Sequence, residues 1–271
     1  DYIPVGFGTI IQYNDLLQVD GTASVLCGDL TVKTISGRDN CPCPPGPGRL
    51  EYKGAYYRNI PDDVPYIQHP RNTLILDPYP LLRWNDTGAS SHTVAIVSGG
   101  ETVWSQPSVT GNSIRYPDEA PALQPDIDYL LTVQDGAHTS GDDPTKGLGF
   151  QVLSEAERAI IEERRDEILA LSSLDSSARD FALAVYYATW QAPADEKEQA
   201  DERGLWGEAW LLLESVAQTQ NEPAVHLWMG DVLAAMKLFD EAEAVYQAAL
   251  TGAESMRDLE AQAAAHAGLW R

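Results

Sequence analysis

The chain has 271 residues, 44% of them hydrophobic, with seven Trp and twelve Tyr, which is enough apolar bulk for several small cores and excludes a disordered protein. Eighteen Lys plus Arg stand against 41 Asp plus Glu, a net charge of −23, so phosphate backbones and anionic lipid headgroups are repelled and no nucleic-acid partner is expected. No apolar run reaches the roughly 18 residues of a membrane span, so no direct membrane insertion is expected of this chain.

The chain opens on Asp1, with no initiator Met and no basic-then-apolar leader, so a mature or trimmed chain whose signal or anchor was removed is expected. Residues 1–48 read as a small β module. Short runs at 6–11, 15–19, 23–27 and 30–35 are broken by Asn-Asp, Asp-Gly, Gly-Asp and Ser-Gly pairs. The order Asn14 to Val19, a turn, then Ala23 to Thr31 resembles the FecR-type β module of bacterial envelope proteins. All three cysteines lie here. Cys27 can close a loop of about 15 residues with Cys41 or with Cys43, worth about 3 kcal/mol in the chain-entropy model. Such a bond points to an oxidising compartment, and the odd thiol is then a candidate for an intermolecular bond. Three cysteines with no neighbouring His make no zinc site.

The Pro-Gly run from Cys41 to Gly48 cannot be helix or central strand and opens a connector, 49–70, rich in Tyr and Pro. Tyr52, Tyr56, Tyr57 and Tyr66 are expected to pack on neighbouring elements, with a carbohydrate-stacking stripe as the alternative. Residues 71–153 then carry strand-length runs at 74–76, 81–84, 92–97, 102–104, 113–116, 129–133 and 149–152, separated by Gly, Pro, Asn and Asp. Trp84 is the expected large core residue, and Val94 and Ile96 share one face. Leu123-Gln124-Pro125 followed by Tyr129 is similar to the fibronectin type III signature. That resemblance implies an antiparallel β-sandwich with Tyr129 as its corner. Asn85-Asp86-Thr87 is a formal glycosylation sequon.

After Leu153 the apolar period changes from two to 3.6. Ser154 with Glu157 forms a capping box before a helix bearing Ile160, Ile161, Ile168, Leu169 and Leu171. Further helices are expected at 177–190, 205–220, 223–236, from about 241 to 250, and 255–270, with an acidic loop at 192–203. Asn221 is the expected N-cap of the 223–236 helix, with Pro223 in its first turn, and Gly252 the expected C-cap of its successor. Gly230, Ala242, Tyr246 and Ala249 resemble the small and aromatic positions of a tetratricopeptide repeat, with Glu254 where that family places Pro. Ala209 and Leu213 precede Ala242 and Tyr246 by about one repeat length, which implies a degraded first repeat with the acidic loop inserted. By the same resemblance Leu227, Asp231 and Ala234, on the inner face of the first helix, would line a partner-binding groove.

No catalytic constellation is found. The five His, at 69, 92, 138, 226 and 266, include no i, i+4 pair, and no dinucleotide, Walker or nucleophile-elbow motif occurs. Acidic turns such as Gly141-Asp142-Asp143 offer carboxylates to Ca2+, but without EF-hand spacing. No catalytic residues, metal or cofactors are therefore expected. The fold class expected is multidomain α and β: a β module (1–48), a connector (49–70), an antiparallel β-sandwich (71–153) and a C-terminal α-helical repeat domain (154–271). The expected function is a non-enzymatic scaffold that is secreted, periplasmic or on the cell surface and binds a protein partner. The alternative is a structural subunit that self-associates into an extracellular filament or surface layer.

Overall fold

The computed structural model describes residues 7, 15–27, 31–44, 61–190 and 203–269. The strand expected at 6–11, Tyr52, Tyr56, Tyr57 and nearly all of the acidic loop at 192–203 lie outside the described residues. What is described mixes several sheets, mostly antiparallel, with six helices.

The first sheet is an antiparallel ribbon of β1 (Leu16–Leu26) and β2 (Val32–Asn40). Sequence punctuation at Asp20-Gly21 predicts a turn between two strands, yet β1 runs through it. The ladder accommodates these residues as an irregularity between Val19 and Thr22, with Gly21 and Gly37, the partner of Val19, both at positive φ. A two-stranded ribbon is marginal by itself. Here Val25 and Ile35 pack with Cys27, Cys41 and Cys43, and a disulfide joins Cys27 to Cys43. Leu26 packs on the helical core, as does Phe7, whose ring lies 5.5 Å from that of Phe181.

Two three-stranded sheets follow. One has the order β3 (Ile67–His69), β5 (Leu81–Trp84), β8 (Ser113–Arg115), the other β7 (Glu101–Val109), β6 (His92–Ser98), β9 (Leu130–Gln134). A short parallel pair, β4 (Thr73–Ile75) with β10 (Phe150–Val152), adjoins them. Alternation along the strands sends Trp84, Val94, Ile96, Leu131 and Val133 into one shared core, each under 2% exposed. Tyr129 is buried, and its hydroxyl accepts from the Gln124 N–H at 2.9 Å. β3 falls within the 49–70 stretch, whose last residues therefore supply a strand. Asn85 is the first residue of the formal sequon. It is buried, its Nδ2 donates to the carbonyls of Asp62 and Val64, and its Oδ1 accepts from the Tyr66 N–H at 2.6 Å.

The helices are α1 (Glu155–Leu169), α2 (Ser176–Thr189), α3 (Trp206–Ala217), α4 (Pro223–Ala235), α5 (Phe239–Met256) and α6 (Leu259–Leu269). The Ser154–Glu157 capping box is present with both reciprocal bonds. Three expected boundaries move. The residue before α4 is Glu222, not Asn221, and no side chain caps that end. Gly252 lies inside α5, where a Cβ would stand 3.2 Å from the Pro223 ring, so it is a packing glycine rather than a stop. The helix instead ends at Arg257, which takes a left-handed backbone (φ 59°), and Asp258 restarts the chain by accepting from the Ala261 N–H. The single helix expected at 255–270 is thus split.

Between α4 and α6 the Tyr246 ring fills a slot that only glycines leave open. A Cβ at Gly230 or at Gly268 would stand about 2.5–2.6 Å from it. Its hydroxyl donates to Asp231 Oδ1 at 2.6 Å. Among the described residues no helix is long and apolar enough to cross a membrane.

Candidate functional site

The most heavily invested polar site joins the strands to the helices. After β3 the chain turns through Pro70 and buries Arg71 completely. Its guanidinium reaches three parts of the fold at once. Nε donates to the Met236 carbonyl (2.9 Å) and Nη2 to that of Lys237 (3.1 Å), while Nη1 donates to the Ile67 carbonyl and to Asp143 Oδ2 (2.9 Å). Met236 and Lys237 lie just past the end of α4, where unpaired carbonyls and the helix dipole favour a cation. Asn72, also left-handed, donates Nδ2 to the Ala235 carbonyl of the same helix end at 2.8 Å.

Burial alone would push the Asp143 carboxyl up. Hydrogen bonds from Thr145 and the Arg71 charge outweigh it and hold it below the ordinary aspartate value. Asp142 is equally committed, accepting from the Thr139 N–H in a capping box around the short 3-10 turn Ser140–Asp142. The acidic turn Gly141-Asp142-Asp143 therefore serves the junction and a local cap. Among the described residues no group of three or more His, Cys, Asp or Glu is placed to hold a metal ion.

A second seam runs along α3. The Leu74 N–H donates to the Gly204 carbonyl, the Gly207 N–H to Thr73 Oγ1, and the Leu76 N–H to Glu208 Oε1. Burial raises the Glu208 pKa, against the opposing effect of that last bond. His69 Nδ1 donates to the Leu81 carbonyl at 2.7 Å, and its ring lies so close to Gly207 that a Cβ there would stand 2.7 Å away. Burial lowers its pKa to about 4, so the ring is neutral at pH 7. Arg83 completes the seam as a fork on both oxygens of Glu214 (2.6 and 2.9 Å), stacked 4.7 Å over the Trp210 ring.

Leu227, Asp231 and Ala234, which the repeat resemblance places along a groove, are all buried, and the two apolar ones belong to the helical core. Cys41 remains a thiol and is buried beside the disulfide pair, so an intermolecular bond through it requires the module to open. A polar cleft of about 460 Å³ is lined by Ser90, Ser91, His92, Ser108, Gln134 and Asp135. There Asp135 accepts from the His138 N–H, and His92 Nε2 bonds Thr87 Oγ1 while its Nδ1 is buried with no hydrogen-bond partner.

The junction escapes sequence reasoning because, Ile67 apart, the partners of Arg71 are 72 to 166 positions away. The one available signal is Arg71 itself, a cation in a chain with few, set between two strand-length apolar runs. No protein-family model matches the chain, and no curated protein matches it.

Proposed function

We propose that this protein is a non-enzymatic interaction scaffold acting outside the reducing cytosol, secreted, periplasmic or on the cell surface. The single observation that carries the reading is the Arg71 junction. A fully buried guanidinium with four partners, reinforced by the Arg83–Glu214 fork, fixes a β-sandwich against a helical layer. Such rigidity suits a protein whose surfaces must be presented in one relative orientation, and the polar chemistry is spent on holding elements together.

Further support comes from the details of each part. The Tyr129 hydroxyl bond and the two sheet orders favour a fibronectin type III-like sandwich. Tyr246 seated between Gly230 and Gly268 favours a tetratricopeptide-like pair with one more helix. The Cys27–Cys43 bond favours an oxidising compartment. With Leu227, Asp231 and Ala234 buried, the partner is taken elsewhere than in an inner groove.

The test is recovery of the tagged full chain at native expression level after mild cross-linking in cells. A stoichiometric protein partner retained by the wild type and lost with Arg71→Ala is the expected result. A chain that emerges alone overturns the reading, and large ordered polymers of the chain replace it with a structural-subunit role.

A further inference from the structure

The β1–β2 ladder runs one step past the strands at both ends. The Cys27 N–H donates to the Thr31 carbonyl at 2.9 Å, and the Cys41 N–H to the Asp15 carbonyl at 2.7 Å. Cys27 therefore marks the hairpin end of the ribbon and Cys41 the opposite, open end. Over the nine residue steps from Thr31 to Asn40, a straight ribbon would hold Cys27 and Asn40 about 30 Å apart. The disulfide does not allow that. The Cα atoms of Cys27 and Cys43 are 5.1 Å apart. The chain from Asn40 to Cys43 adds at most about 11 Å, so Cys27 and Asn40 stand within about 16 Å of each other.

The ribbon is thus folded over on itself. Its middle carries the one irregularity of the ladder, between Val19 and Thr22, and there Gly21 and Gly37 take positive φ (97° and 70°). The buried side chains record the same bend. Val25, Cys27 and Ile35, towards the hairpin end, pack with Cys41 and Cys43, and Leu17, Val19 and Ala23 are partly buried against them. Both ends of the ribbon meet in this small core, and every member of it comes from 17–43. Closure therefore rests on a few apolar contacts and one covalent bond, with the thiol of Cys41 enclosed.

We propose that the ribbon is a redox-latched clasp, hinged at Gly21 and Gly37 and fastened by Cys27–Cys43, that governs access to the Cys41 thiol. A dithiol reductant opens it. One reductant thiolate attacks a sulfur of the Cys27–Cys43 bond, and the other sulfur leaves as a thiolate. The second reductant thiol then resolves the mixed disulfide, so that two electrons and two protons pass to Cys27 and Cys43 while the reductant becomes a disulfide. Without the bond the ribbon straightens about its glycines. Val25 and Ile35 lose their cover, and Cys41 becomes reachable from solvent.

The test uses the full chain with reduction-resistant spin labels on azido amino acids at Thr31 and Asn40, both exposed, and pulsed electron resonance before and after a small dithiol. The distance is expected to lengthen by about 10 Å on reduction and to return on reoxidation. Alkylation of the folded chain should rise at the same time from almost none to all three cysteines. A double variant, Cys27→Ser with Cys43→Ser, should show the long distance with no reductant, and Cys41→Ser the short one. Amide hydrogen exchange in α2 to α5 reports whether the rest of the chain stays folded, and the reduced wild type decides alone if the double variant does not fold. An unchanged distance in a fully reduced chain overturns the proposal. Lengthening that comes only with loss of protection in the helices overturns it equally, because the opening is then global unfolding.

Discussion

Replacing Arg71 by Ala removes donors from the Ile67, Met236 and Lys237 carbonyls and strands the Asp143 carboxylate, whose side chain is 1% exposed. Removing one partner of a buried ion pair costs about 3–5 kcal/mol, because the remaining charge has lost its compensation. Loss of packing around a fully buried side chain pushes the figure towards the upper end. Asp143 makes the loss pH-dependent. In the wild type its lowered pKa contributes stability that is present above the unfolded aspartate value and disappears as pH falls through the folded one. Without Arg71 its burial raises the pKa relative to the wild type, so acid destabilisation should begin at higher pH. Urea unfolding of wild type, Arg71→Ala, Asp143→Ala and the double variant measures both effects. The double variant should be more stable than the sum of the single losses implies, by about 1–3 kcal/mol. Additive losses, or a single-variant cost near 1 kcal/mol, would refute the reasoning that the pair is electrostatically coupled and buried.

His69 gives a second pH effect of separate origin. Its pKa falls from 6.5 unfolded to about 4 folded, so below pH 6.5 the unfolded chain binds more protons and stability drops until pH 4. The full loss is about 3 kcal/mol, with about 2 kcal/mol of it reached by pH 5; urea midpoints at pH 7 and 5 measure it, and a flat profile contradicts the buried neutral ring. Gly230→Ala should cost about 1–3 kcal/mol by overpacking, since the new Cβ meets the Tyr246 ring rather than a flexible chain end, and calorimetry checks it. Alkylation under non-reducing conditions should add one label per chain in denaturant, on Cys41, and little in the folded state. Cys43→Ser should lower the stability of the β1–β2 ribbon by about 3 kcal/mol, read from exchange rates at Val25 and Ile35.

The core was legible from pattern alone where the environment is one-sided. Trp84, Val94 and Ile96 are buried as strict alternation requires, and Ser154 with Glu157 marks a helix start because both halves of the cap lie within one turn. Element ends were less legible. Arg257 adopts a left-handed turn that sequence rules assign to Gly or Asn, and Asp20-Gly21 is taken up as an irregularity within one long strand rather than as a turn between two. The candidate site was hidden for a different reason. Asp142 and Asp143 look like ligands of a cation, and one of them is, but the cation is the guanidinium of a residue from another strand loop. Leu227, Asp231 and Ala234 are a matter of scale: the 3.6-residue apolar period locates the helix, while its packing with α3, α5 and α6 buries these three side chains.

The Asn85 clamp bears on how the protein should be produced. Its amide nitrogen donates to the Asp62 and Val64 carbonyls and its oxygen accepts from the Tyr66 N–H, so the folded chain presents nothing for a sugar to join. A eukaryotic secretory host meets the Asn85-Asp86-Thr87 tripeptide while the chain is still being threaded and unfolded. A glycan added at that moment would occupy the nitrogen that later has to fasten residues 62–66 against the sheet. Material from such a host would then separate into a sugar-free fraction with the strap closed and a sugar-bearing one with it open, and expression without that modification avoids the division.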